Sequence, residues 1–145
     1  MKQPIVLAYE FVKAIPDELE EQTLYVSMDY ATVAHKCCCG CGREVVTPLS
    51  PTDWKLIYDG ESISLSPSIG NWSFKCRSHY WIKNSIIRWA GQWSREKIAA
   101  GRAHDRSTKD RHYAGVGRAR QDAGGPARGK SRKGLWSWLS RLWSR

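Results

Sequence analysis

The stretch "HKCCCGCGREVV" places four of the chain's five cysteines, Cys37, Cys38, Cys39 and Cys41, within five positions, with Gly40 and Gly42 threaded among them. The fifth, Cys76, opens a second short pair, Cys76-x-x-His79, about 35 residues further on. Two ligand pairs at this separation make the two-knuckle arrangement of tetrahedral zinc. Thiolate and imidazole suit zinc better than magnesium or calcium. Glycine suits the knuckles, where backbone amides must turn toward the sulfurs. A chain of 145 residues buries only a moderate core, so a metal adds to its stability.

Five is an odd number of cysteines, so a complete disulfide framework is impossible. The leading "MKQPIVLAYEF" has no apolar run of signal-peptide length, and nothing approaches a membrane span. The expected location is the cytoplasm, where structural disulfides are disfavoured. The candidate ligands Cys37, Cys38, Cys39, Cys41, Cys76, His79 and His35 exceed the four places of one closed site. A structural zinc takes four protein ligands and a catalytic zinc three plus a water; spacing leaves both open. Glu44, three residues after Cys41, is a candidate general base for a zinc-bound water, and Ser78, adjoining the second knuckle, is a second candidate catalytic residue.

Charge divides the chain. Residues 1–90 carry nine Lys/Arg and ten Asp/Glu, while residues 91–145 carry fourteen and four. The first part reads mostly with period two. "TLYVSM" and "REVVT" are expected strands, the former with Leu24, Val26 and Met28 on one face. "DWKLIYDGESISLSP" reads as a hairpin turning at Asp59-Gly60, and "SIGNWSFKC" as a turn and a short strand. The aromatic and β-branched content of "HYWIKNSIIRWA" favours a hairpin turning at Lys83-Asn84. "AIPDELEEQ" offers one helical turn, and "SREKIAAGRA" a helix capped by Ser94. The expected fold is α+β: a small β-rich zinc-binding domain over residues 1–105 with one or two helices. A basic Gly/Arg-rich linker over 106–134 follows, then a short amphipathic helix over 135–145.

The run CGCG, PLSP, DG, PSIGNW and CRSHYWI, in that order, resembles the core of bacterial domain-of-unknown-function family 6527, over about residues 8–105. The resemblance implies a metal-binding peptidase that processes or deconjugates a bacterial ubiquitin-like protein. Its implied partners are that protein and its activating or conjugating enzymes. The family's CxCGCG pattern matches Cys37, Cys39 and Cys41 and leaves Cys38 as an extra thiol. Carried over, the metal ligands are Cys39, Cys41, Cys76 and His79, with Cys37 next. Glu44 would then take the proton of a zinc-bound water. Ser68, Gly70 and Asn71 would hold the substrate strand or oxyanion, and Trp72 and Trp81 would line a groove for the substrate tail.

Two further readings belong to other classes. One is a zinc-stabilised binding module without chemistry; the other is a nucleic-acid-binding zinc protein with a basic arm. The final "KGLWSWLSRLWSR" would dock on a partner, on its own domain or on a membrane surface.

Overall fold

The computed structural model describes residues 4–124. Eight strands run β1 (Ala8–Phe11), β2 (Thr23–Ser27), β3 (Thr32–Lys36), β4 (Glu44–Pro48), β5 (Lys55–Tyr58), β6 (Ile63–Gly70), β7 (His79–Lys83) and β8 (Ile86–Trp89), and helix α1 spans Arg95–Ala123. The chain divides into two units, Met1–Asp110 and Arg111–Arg145. The first holds all the strands and the start of α1. Among the described residues, the second holds the rest of α1.

The strands form two four-stranded sheets in sequence order, β1-β2-β3-β4 and β5-β6-β7-β8. Every neighbouring pair is antiparallel except β1 and β2, which are parallel. A parallel pair needs a crossover rather than a tight turn. Residues 12–22 make it, and Val12, Ile15 and Leu19 pack on Tyr25 and Ala34. That cover is why β2 is buried along its whole length. Met28 lies beyond the strand and is exposed, so the expected one-faced stripe ends at Val26. The crossover contains no helical turn, unlike the expectation for "AIPDELEEQ".

Both sheets contribute to the main core. Leu24, Val26, Val33 and Val45 come from the first, and Ile63, Leu65, Ile69, Tyr80, Ile82 and Ile87 from the second. Side chains alternate across a strand. Ile69, Tyr80 and Ile82 therefore point inward, while Ser68, Gly70, His79 and Trp81 occupy the opposite face. The β6–β7 register slips between Leu65 and Ile69, a stretch containing the cis Ser66–Pro67 bond. Such an irregularity re-aims the side chains that follow it, here Ser68.

The β7–β8 hairpin pairs Lys83 with Ile86, so its turn is Asn84-Ser85, one residue later than expected. Both turn residues have positive φ, as a tight two-residue hairpin requires. No strand forms between Gly70 and β7; residues 71–78 are turns, a bend and irregular backbone. Ser94 does cap α1, its hydroxyl accepting from Lys97 N at 3.2 Å. The helix continues to Ala123 and so takes up 106–123, where the composition reads as linker. The remainder of that linker beyond Gly124 and the expected helix over 135–145 lie outside the described residues. No helix among the described residues is long and apolar enough to cross a membrane.

Candidate functional site

Four sulfurs converge at one end of the β6–β7 pair. The Sγ atoms of Cys37, Cys39, Cys41 and Cys76 all lie within 4.8 Å of one another. Cys37 approaches Cys39 at 3.4 Å and Cys76 at 3.9 Å, and Cys41 lies 3.9 Å from Cys76. Tetrahedral zinc with Zn–S bonds of about 2.3 Å separates its sulfurs by about 3.8 Å. The donor set therefore fits a closed four-thiolate site, and the four side chains could hold a metal ion. None of the thiols is in a disulfide.

The loop is built for this convergence. Gly40 and Gly42 have φ of 85° and 76°, which side-chain-bearing residues rarely adopt. Gly40 N donates to Cys37 O at 3.0 Å and Cys37 N to Arg43 O at 2.7 Å, closing the knuckle. Arg77, also at positive φ, turns the second pair. Burial pushes the Cys37 and Cys39 thiols above their usual range. Burial raises Cys76 as well, but hydrogen bonds from Ser78, Cys39 and Cys41 outweigh it and bring it down to about 6. Cys38 stands outside the group, and burial lifts its thiol to about 12.

Ser78 belongs to the sulfur cluster. Its hydroxyl lies 3.0 Å from Cys37 Sγ and 3.5 Å from Cys76 Sγ, and it accepts from Asn71 Nδ2 at 2.9 Å. Asn71 is buried, and its amide also reaches Tyr80 Oη at 3.5 Å. The side chain expected on the substrate is thus spent inside the protein. Tyr80 Oη meets His35 Nε2 at 2.9 Å. Burial holds the His35 imidazole neutral, its pKa lowered to about 4.

His79 is placed differently from the sequence expectation. It is not in the sulfur group. Its Nδ1 lies 2.7 Å from Gly91 O and its Nε2 2.9 Å from Ser68 Oγ. A carbonyl can only accept, so Nδ1 carries the proton. In neutral imidazole Nε2 is then the acceptor, and Ser68 donates its hydroxyl hydrogen to it. This is the nucleophile–base–orienter geometry of a hydroxyl nucleophile, with a backbone carbonyl in the orienting position. The sequence expectation makes Ser68 a substrate contact and His79 a metal ligand; here the two side chains meet each other. No spacing motif announces the pair, because it forms only when β6 and β7 lie side by side.

Aromatic rings enclose the imidazole. Trp72 lies 4.9 Å and Trp93 5.3 Å from His79 between ring centroids, and the two indoles stack at 5.8 Å. Glu44 is exposed at the start of β4, opposite Lys36. Among the described residues its carboxylate makes no hydrogen bond or ion pair with the sulfur cluster, Ser68 or His79.

A family model described as the bacterial ubiquitination-like system serine protease, BubE, matches residues 11–90, more than half of the chain. The chain belongs to the BubE family. No curated protein and no solved structure is significantly similar to it. The BubE match takes in Ser68, His79 and all four clustered cysteines, and ends just before Gly91 and Trp93. A family of serine proteases directs attention to a serine beside a base. Within the two sheets, Ser68 is the serine whose hydroxyl meets an imidazole.

Proposed function

We propose that this chain is a serine peptidase that processes or deconjugates a ubiquitin-like protein in a bacterial ubiquitination-like system. Ser68 is its nucleophile and His79 its general base. The observation that carries this reading is the Ser68 Oγ–His79 Nε2 contact of 2.9 Å, together with the opposing Gly91 carbonyl. The family assignment supports the choice of serine chemistry.

Ser68 Oγ attacks the scissile carbonyl carbon as its proton passes to His79 Nε2. The imidazolium is stabilised by Gly91 O at Nδ1 and delivers the proton to the departing amine nitrogen. The ester on Ser68 is then hydrolysed by a water that loses its proton to the same Nε2, and Ser68 recovers its hydrogen. Trp72 and Trp93 shield the imidazole from bulk water and hold its plane. Trp81 shares the outward face of β7 with His79 and extends the surface along which a substrate tail would run. The partners of this reading are a ubiquitin-like protein and its activating or conjugating enzymes.

In the same reading the cysteine centre holds zinc for structure. Cys37, Cys39, Cys41 and Cys76 supply four thiolates, and a bound zinc would cross-link the knuckle loop to the β6–β7 connection. Four protein thiolates leave no position for a reactive water. Ser78 then orients Cys37 and Cys76, and Glu44 has no part in the chemistry.

The test uses the full chain and the ubiquitin-like precursor encoded by the same bacterium, with cleavage followed by mass. Ser68→Ala and His79→Gln are expected to lower kcat by about a thousandfold or more, while Glu44→Gln stays within a few-fold of the parent. A fluorophosphonate probe should label the parent at Ser68. Cleavage at the parental rate by folded Ser68→Ala would overturn the assignment.

A further inference from the structure

Three arginines converge beside the aromatic wall. A cavity of about 230 Å³ is lined by Trp72, Arg77, Arg95, Ile98, Ala99 and Arg102. Arg95, Ile98, Ala99 and Arg102 recur at the spacing that aligns one face of a helix, here the first two turns of α1. Arg77 approaches from the turn that carries Cys76. Among the described residues none of the three guanidinium groups forms an ion pair, unlike Lys36 with Glu21 and Lys109 with Asp53. Three like charges around one small cavity repel each other, an arrangement that an anion relieves. Guanidinium groups match the planar fork of a carboxylate. Trp72 belongs to both places, lining this cavity and lying against the His79 ring.

We infer that the cavity bounded by Arg77, Arg95, Arg102 and Trp72 is a substrate subsite that binds a carboxylate of the peptide being cut, next to the Ser68–His79 pair. The inference rests on the serine-peptidase reading for what the neighbouring pair does, but the binding itself does not require turnover. The carboxylate comes either from an acidic side chain near the scissile bond or from the free C-terminus of a short extension. In both cases the subsite selects an acidic segment, and Trp72 couples its occupancy to the position of His79.

Three probes separate the sources: acetyl-Gly-Gly-Ala with a free C-terminus, acetyl-Gly-Glu-Gly amide and the neutral acetyl-Gly-Gln-Gly amide. They are titrated into the full chain carrying Ser68→Ala, with the Trp72 indole N–H read by NMR and assigned by its loss in Trp72→Phe. At least one charged probe should shift that signal saturably, and the neutral probe should not. Binding of the free acid alone identifies the C-terminus as the source, and binding of the glutamyl amide alone identifies a side chain. Arg95→Gln with Arg102→Gln, both at exposed positions, should weaken binding by on the order of tenfold or more with the melting temperature retained. Binding should also weaken as sodium chloride is raised. Equal binding of the neutral probe, unchanged binding in the double variant, or no shift from any probe overturns the subsite. Because Ser68 is already absent, none of these results depends on the catalytic assignment, which stands or falls on precursor cleavage.

Discussion

A Cβ built on Gly70 would lie 2.4 Å from the Trp72 indole nitrogen. Any side chain there must push the indole away, and with it one wall of the His79 ring. Gly70→Ala should therefore cost about 1–3 kcal/mol, the range for overpacking a tight contact. The same variant should lower peptidase activity; paired thermal melts and rate measurements check both. The position expected to present an amide to substrate also forms the floor beneath an aromatic plate. Cysteines sort by a similar residue-level test. Cys38→Ser should retain bound metal, while Cys37→Ser, at a fully buried position, should lose it. Metal content per chain, measured by elemental analysis, decides. The knuckle pattern was visible in "CCCGCG", because ligand spacing is local, whereas Cys38 as the spare thiol followed only from the family resemblance. The contact of His79 with Ser68 was hidden, because Cys76-x-x-His79 has ligand spacing whichever way the imidazole points. Strand alternation turns it to the face opposite Tyr80.

At the level of elements, hairpins were the most legible feature. Asp59 Oδ1 accepts from Glu61 N at 2.9 Å and Ser62 N at 2.6 Å, so the turn residue named from sequence does fold the β5–β6 loop. The β7–β8 turn depends on a contact the sequence does not display: Ser85 Oγ accepts from the buried Ile63 N at 3.1 Å. Ser85→Ala leaves that donor unpaired and should cost about 1–3 kcal/mol in denaturant titrations. The helix was legible at its start and misread at its end. Ser94 announces the cap, whereas residues 106–123 offer little to bury and still form helix, with Ile98 the buried residue of α1 among those described. The middle of α1 is held in part through Asp53, which pairs with Lys109. Burial alone would raise the Asp53 carboxyl, but bonds from Lys109 and Ser50 hold it below the usual carboxylate range. A depressed carboxyl stabilises the fold above its unfolded pKa of about 4, and that contribution is lost as pH falls through the lower folded value. Asp53→Asn should be less stable than the parent near neutrality by no more than about 1 kcal/mol. The two should converge in acid, as melting curves across pH 2–7 would show.

At the level of the whole molecule, the cysteine centre lies at one end of the β6–β7 pair, and the Ser68–His79 contact is made on the face of those strands turned away from the core. On the reading proposed above, a strong chelator should lower the melting temperature first. Activity should fall in step with unfolding and not on mixing, and timed assays after chelator addition distinguish the two. The β-rich character followed from period-two patterning, though not its division into two sheets. The parallel β1–β2 pair did not, because its crossover is irregular and carries no helical signal. The alternation of β7 has a further consequence for how this protein tolerates change. Ser78 and Tyr80 face the sulfurs and the core, and His79, lodged between them in the chain, faces the indoles. One inserted or deleted codon between Arg77 and Tyr80 would exchange the two faces, turning the imidazole toward the core and Tyr80 away from it. Point substitutions around this segment alter one contact at a time, whereas a single-residue indel removes Ser78 from the sulfurs and His79 from Ser68 together.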